Sequence, residues 1–168
     1  MTFAIRPLTA ADAPSYRALR LRALTEDPAA YLTSAEEYAG RLLEEVAAGL
    51  RGSENSLTLG AFDQTALLGI ATLVRSERLK LRHRADVLGV YLAPEVRGRG
   101  LAGQLMHELI VSAKEMPGLD VLELSVTETQ LAAQHLYERL GFVMWGVQPD
   151  AVREGGQALS ELHMQLRL

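Results

Sequence analysis

An α/β fold within one domain, residues 1–168, is what the sequence predicts, in the order β-α-α-β-β-β-α-β-α-β-β. Three observations predict it. A chain of 168 residues suits one domain able to bury a continuous core. About six to seven short segments are continuously apolar or alternate with period two, while four longer ones repeat every three to four residues. No repeat, low-complexity tract or linker interrupts them.

Composition narrows the function classes. Hydrophobic residues make up 48% and charged residues 23%, an ordinary soluble balance. No apolar run approaches the roughly 18 residues of a membrane helix. The N-terminus has no basic-then-apolar signal pattern, so no membrane association and a cytoplasmic location are expected. With no cysteine there is no disulfide, thiol nucleophile or Cys-bound metal. A net charge of −4 argues against a nucleic-acid surface, which needs a clustered positive field.

Phe3, Ile5 and Arg6-Pro7 read as a strand stopped by proline. Thr9 to Asp12 resembles a capping box with Asp for Glu, opening a helix that runs to about Leu24. Ser34-Ala35-Glu36-Glu37 opens a second helix carrying Tyr38, Leu42, Val46 and Leu50, closed by Arg51-Gly52-Ser53. Leu57–Phe62 and Ala66–Val74 read as strands joined at Asp63-Gln64-Thr65. Arg75 to Arg84 contains five Lys and Arg residues whose alternation with Leu79, Leu81 and His83 predicts a half-solvated hairpin, not a stacking surface for bases. Asp86–Leu92 is a strand. The stripe Leu101, Leu105, Leu109, Ala113 and Met116 predicts a helix stopped by Pro117-Gly118. Val121–Val126 is a buried strand, and Leu131–Leu140 a helix with Gly141 as its C-terminal cap. Strands at Phe142–Val147 and Ala158–Leu166 close the chain.

Chemistry concentrates in Pro94-Glu95-Val96-Arg97-Gly98-Arg99-Gly100-Leu101-Ala102-Gly103-Gln104, a glycine loop between strand and helix. Such a turn aims backbone amides and the positive end of a helix dipole at one anion. A P-loop is excluded, because no Gly-x-x-x-x-Gly-Lys-Ser/Thr occurs. Residues 98–103 match G-x-G-x-x-G literally. A dinucleotide fingerprint, however, starts at the strand end, whereas residues 93–97 intervene here, and the acid twenty residues on, Glu123, falls inside a strand.

Arg97-x-x-Gly100-x-Ala102 resembles the Arg/Gln-x-x-Gly-x-Gly/Ala loop of the GNAT superfamily of N-acetyltransferases. The strand before it, VLGVYLAPEV, and the later LELSV and LYERLGF resemble the same family. The resemblance implies a mixed, mostly antiparallel sheet of about six to seven strands flanked by about four helices. It implies acetyl-CoA as co-substrate, no metal, and a small-molecule or peptide amine as acceptor; proteins of this family are often homodimers. By the same likeness, the main chain of Val90, Tyr91 and Leu92 would pair with the pantetheine arm like an added strand. Gly89 matches the family's bulge, which splays two strands. Amides from Arg97 through Gly98, Arg99, Gly100, Leu101, Ala102 and Gly103 would hold the diphosphate. Gln130 stands where the family commonly has a cofactor-contacting asparagine, with Thr129 as the cap. Tyr137 matches the general acid that protonates the leaving thiolate, a task suited to a phenol with a pKa of about 10.

The acceptor amine must lose a proton before it attacks, and Glu128, at the end of VLELSVTE, is the candidate base, Glu36 and Glu37 being simpler as helix-start acids. His83, His107, His135 and His163 lack metal-ligand spacing; His83, at the entry of the strand that would meet the cofactor, could serve as a base but reads more simply as a hydrogen-bonded or surface histidine. No G-x-S-x-G nucleophile elbow occurs, so direct attack in a ternary complex is expected. The alternative is a non-catalytic acyl-CoA sensor, which would keep the loop but not need Tyr137.

Overall fold

Extended and helical segments assemble into a seven-stranded sheet with five helices in a computed structural model that describes residues 3–168. The strands are β1 (Ala4–Pro7), β2 (Ser56–Asp63), β3 (Ala66–Arg75), β4 (Arg84–Leu92), β5 (Val121–Thr127), β6 (Val143–Glu154) and β7 (Gln157–Arg167). The helices are α1 (Ala13–Glu26), α2 (Ala35–Ala39), α3 (Leu43–Gly49), α4 (Leu101–Lys114) and α5 (Leu131–Arg139). Sheet order is β1-β2-β3-β4-β5-β7-β6, with β4 and β5 parallel and the other neighbours antiparallel. This is the mixed, mostly antiparallel sheet expected.

The core forms where the apolar patterns meet. On α4, Leu101, Leu105, Met106, Leu109, Ile110 and Ala113 are buried, and the helix packs on β3 and β2. At the start of α1, the Asp12 carboxylate accepts from the Thr9 amide at 2.8 Å and from Arg6 at 2.7 and 2.9 Å. Aspartate thus serves as the box acid, its shorter reach tightening residues 10–12 into a 3-10 turn before the helix.

The second expected helix is two. Gly40 ends α2, and the Glu45 carboxylate accepts from the Leu42 amide at 3.1 Å, starting α3 afresh. Tyr38, Val46 and Leu50 are buried, but Leu42 is 64% exposed, so its place in the four-residue repeat is fortuitous. The basic stretch is the connection of the β3–β4 hairpin, whose last rung is Arg75↔Ala85, but it does not pair along its length as its alternation suggests. It folds as a 3-10 turn, Leu79–Leu81, because the buried Arg75 guanidinium gathers the carbonyls of Arg82 and Pro117. β6 runs to Glu154, beyond the expected Val147: Pro149 and Asp150 mark a register break rather than an end.

One irregularity positions the site. Ile70 pairs with Tyr91 and Thr72 with Leu88, so Gly89 and Val90 together oppose Ala71. Gly89 has φ +60°, a left-handed conformation that a side chain would strain. The parallel pairing of β4 and β5 reaches from Arg84↔Val121 only to Asp86↔Glu123. Beyond it the bulged β4 departs from β5 and a slot opens.

Candidate functional site

The slot is a cavity of about 590 Å³, within the range of small-molecule sites. Its walls are β4 from Gly89 to Leu92, the glycine loop, Leu124 to Val126 of β5, and α5 with Gln130, Leu136 and Tyr137. Asp27, Ala30 and Tyr31 close one end. The structure therefore brings together all of the predicted cofactor residues save Arg99, which is exposed beside the loop, and adds Tyr137 to them.

Local sequence explains the loop. Pro94–Val96 makes a 3-10 turn, in which the Arg97 amide donates to the Pro94 carbonyl at 3.2 Å. That amide is spent, so the expected row of donors begins after it. Gly98 and Gly100 take φ +74° and +77°, and Gly100 is the N-cap of α4. Leu101, Ala102 and Gly103 then present first-turn amides that have no acceptor within their helix. Among the described residues, a Cβ built at Gly98 or Gly100 would meet nothing within 4 Å, which leaves room for a ligand above the backbone. Open amides at a helix N-terminus are a donor set that fits a diphosphate.

The Arg97 side chain is engaged by protein groups of the slot wall. Its Nε donates to the Leu92 carbonyl at 2.9 Å, and Nη2 to Asp27 at 2.9 Å, with the guanidinium 5.5 Å from the Tyr91 ring centre. Arg22 bridges Glu26 at 2.8 Å and Glu95 at 2.8 and 2.9 Å, and the Tyr91 hydroxyl donates to Glu26 at 2.6 Å. The Arg22 hydrogen bonds bring the Glu95 carboxyl down to about 2. These contacts tie the loop to the end of α1.

Tyr137 is 7% exposed and lies 5.9 Å from the Phe142 ring, centre to centre. Burial drives its phenol well above the ordinary value, so it holds its proton at neutral pH. Tyr31, which no sequence pattern singled out, donates to the Val90 carbonyl at 3.0 Å. Burial raises its hydroxyl to about 12, and the Arg20 guanidinium stacks 4.5 Å from its ring centre. The Leu92 and Val90 carbonyls, expected to be open for strand addition, thus both accept from side chains here.

Gln130 lines the slot and is itself the N-cap residue of α5, without a side-chain cap bond. Thr129 does not take the cap. Glu128 is exposed and does not line the slot; its carboxylate accepts from the Ser160 amide at 2.7 Å. Glu37 serves as the capping acid of α2, accepting from the Ser34 amide at 2.8 Å. His83, His107 and His135 are exposed, and His163 lies 5.4 Å from Trp145, ring to ring. Ser125 also lines the slot, and the period-two alternation of VLELSV was the signal that could have found it. Among the described residues no group of three His, Cys, Asp or Glu side chains could hold a metal, and no helix is long and apolar enough to cross a membrane.

Comparison with known proteins follows the same lines. The L-amino acid N-acyltransferase MnaT of Escherichia coli (strain K12) is 33% identical over 79 residues, 47% of this chain and 45% of that protein. The chain thus spans about half the length of the curated relatives it matches. The crystal structure of an acetyltransferase of the GNAT family from Streptococcus pneumoniae superposes with TM-score 0.90 at 27% identity, covering 99% of this chain and 100% of that one. A Salmonella typhimurium protein solved with its cofactor acetyl-CoA shares the fold, with TM-score 0.82 at 21% identity over 100% of this chain and 95% of that one. The model of the acetyltransferase (GNAT) family matches residues 18–142, and the chain belongs to that family.

Proposed function

We propose that the protein transfers the acetyl group of acetyl-CoA to a primary amine of a small molecule by direct attack in a ternary complex. One observation carries the reading: a single slot joins the open amides of a glycine-capped helix to a buried, protonated phenol. The amides of Leu101, Ala102 and Gly103 would hold the diphosphate, with Gly98 and Gly100 keeping the backbone bare. Val90 to Leu92 would take the pantetheine arm, which requires the Tyr31 hydroxyl to yield the Val90 carbonyl. Gln130 would add a side-chain amide at the α5 end.

Bound acetyl-CoA supplies an activated acyl group and a thiolate leaving group. The protein's part is to place and to protonate. Tyr137 gives its phenolic proton to the departing sulfur, and burial suits it to that role because it keeps the proton in place until the thiolate forms. The named activity of MnaT, on L-amino acids, points to acceptors of that size.

Release of free thiol from acetyl-CoA, followed against a panel of amines that includes L-amino acids, tests the proposal. Thiol release that requires both the protein and one class of amine is expected. Stabilisation by acetyl-CoA in thermal denaturation, without thiol release for any amine, would instead identify an acyl-CoA sensor.

A further inference from the structure

Strand β5 presents Glu123, Ser125 and Thr127 on one face and buries Leu122, Leu124 and Val126 on the other. β7 pairs with it so that His163 lies opposite Ser125 and Glu161 opposite Thr127. Thr127 is fastened, its hydroxyl donating to the Ala29 carbonyl at 2.8 Å. Ser125 is exposed, lines the slot, and donates from Oγ to Glu161 Oε1 at 3.1 Å. Glu161 is only 9% exposed, yet among the described residues no Lys or Arg forms a salt bridge with it. A carboxylate without a cation, one hydroxyl away from a ligand slot, is placed to receive a proton through that hydroxyl.

We infer that Glu161, acting through the Ser125 hydroxyl, takes the proton from the acceptor's ammonium group. The inference rests on the proposed acetyl transfer and supplies the base that Glu128, held on the Ser160 amide, does not. An N–H bond of the ammonium breaks and its proton passes to Ser125 Oγ, while the Oγ–H proton passes to Glu161 Oε1. The nitrogen lone pair so released forms the bond to the thioester carbonyl carbon. The carbon–sulfur bond breaks, the sulfur takes the Tyr137 proton, and Glu161 later returns its proton to solvent. Ser125 meets the substrate; Glu161 stands behind it as the proton acceptor.

Other titratable groups share this face. His163 and Glu128 flank the pair, and Glu123 lies two residues along, salt-bridged to Arg84 with Asp86 beside them. The test is therefore read on the acceptor's own titration. For an amine with a pKa of about 10, Glu161→Gln should lower kcat/KM for the acceptor about 100-fold or more at pH 7. The deficit should shrink steadily as pH approaches 10, where the amine is already neutral. Ser125→Ala should behave alike, and the double variant should be no worse than either single one. Acetyl-CoA affinity should stay within about twofold of wild type, the scale expected where no contact to the ligand is lost.

A loss equal at every pH would mark a structural role and overturn the inference, as would full activity in both single variants. Should Glu161→Gln fail to fold, Ser125→Ala alone carries the same pH test. If the wild type bound acetyl-CoA but acetylated no amine at any pH, the transfer reading itself would fall, and the proton path with it.

Discussion

Gly100 is the most informative position in the loop. Alanine there forces a Cβ onto a backbone at φ +77°, which costs about 1–2 kcal/mol for a residue with a side chain. Among the described residues nothing lies within 4 Å of that Cβ, so no clash with them adds to the cost. At about 2–4 °C per kcal/mol for a chain of this size, the melting temperature should fall by about 2–8 °C and the protein should remain folded. In the binding account, the same methyl stands where the diphosphate approaches the α4 amides. Losing even one charge-assisted amide–phosphate bond, about 1.5–3 kcal/mol, would weaken binding about 10- to 100-fold. Gly118→Ala is the matched control: it sits at φ +71° in the turn after α4, away from the slot, and its Cβ would make an ordinary 3.5 Å contact with Arg75. Thermal denaturation and titration calorimetry with CoA on both variants separate strain from binding. Equal melting losses with a binding loss confined to Gly100→Ala are expected. Unchanged CoA affinity in Gly100→Ala, or an equal loss in Gly118→Ala, would refute the reasoning.

Further outcomes follow from other side chains. Tyr137→Phe should lower kcat about 10²- to 10⁴-fold with little change in acetyl-CoA affinity, measured by thiol release; full activity would remove the phenol from the chemistry. Arg97→Ala and Asp27→Ala should weaken CoA binding to the same degree, because the guanidinium acts through Asp27 and the Leu92 carbonyl; a much larger loss in Arg97→Ala would mean that it grips phosphate directly. Burial raises the hydroxyls of Tyr31 and Tyr38 to about 12. A pKa raised by folding contributes stability that is complete below the unfolded value of about 10 and disappears as pH rises through the folded one. The melting temperature should therefore drop between pH about 10 and 12, and Tyr38→Phe should lessen the drop. The Tyr38 hydroxyl is buried without a hydrogen-bond partner among the described residues, so that substitution should leave the melting temperature at neutral pH unchanged or higher.

Much of the fold was legible because local rules and global packing agree. The leucine stripe of α4, the strand alternation and the Gly89 bulge each rest on residues whose backbone demands are strong. Legibility failed where a side chain reached across sequence. The split of the second helix depends on Glu45 capping Leu42 within a stretch that still repeats every four residues. Arg75, one of five cations in a polar run, is buried because two distant carbonyls accept from it. Within the site, the glycine loop and Tyr137 stood out as local motifs. Tyr31 and Asp27 did not, since their places come from the turn after α1 folding against β4. Ser125 showed only as a polar position in an apolar strand, and its partner Glu161 lies 36 residues along the chain, joined to it by strand pairing.

A crystal structure with acetyl-CoA bound tests the central claim most directly. The account predicts diphosphate oxygens on the amides of Leu101 to Gly103, the pantetheine arm along Val90 to Leu92, and the thioester sulfur within hydrogen-bond reach of the Tyr137 hydroxyl. A coenzyme bound outside the slot between β4 and β5, or with its sulfur turned away from Tyr137, would contradict it.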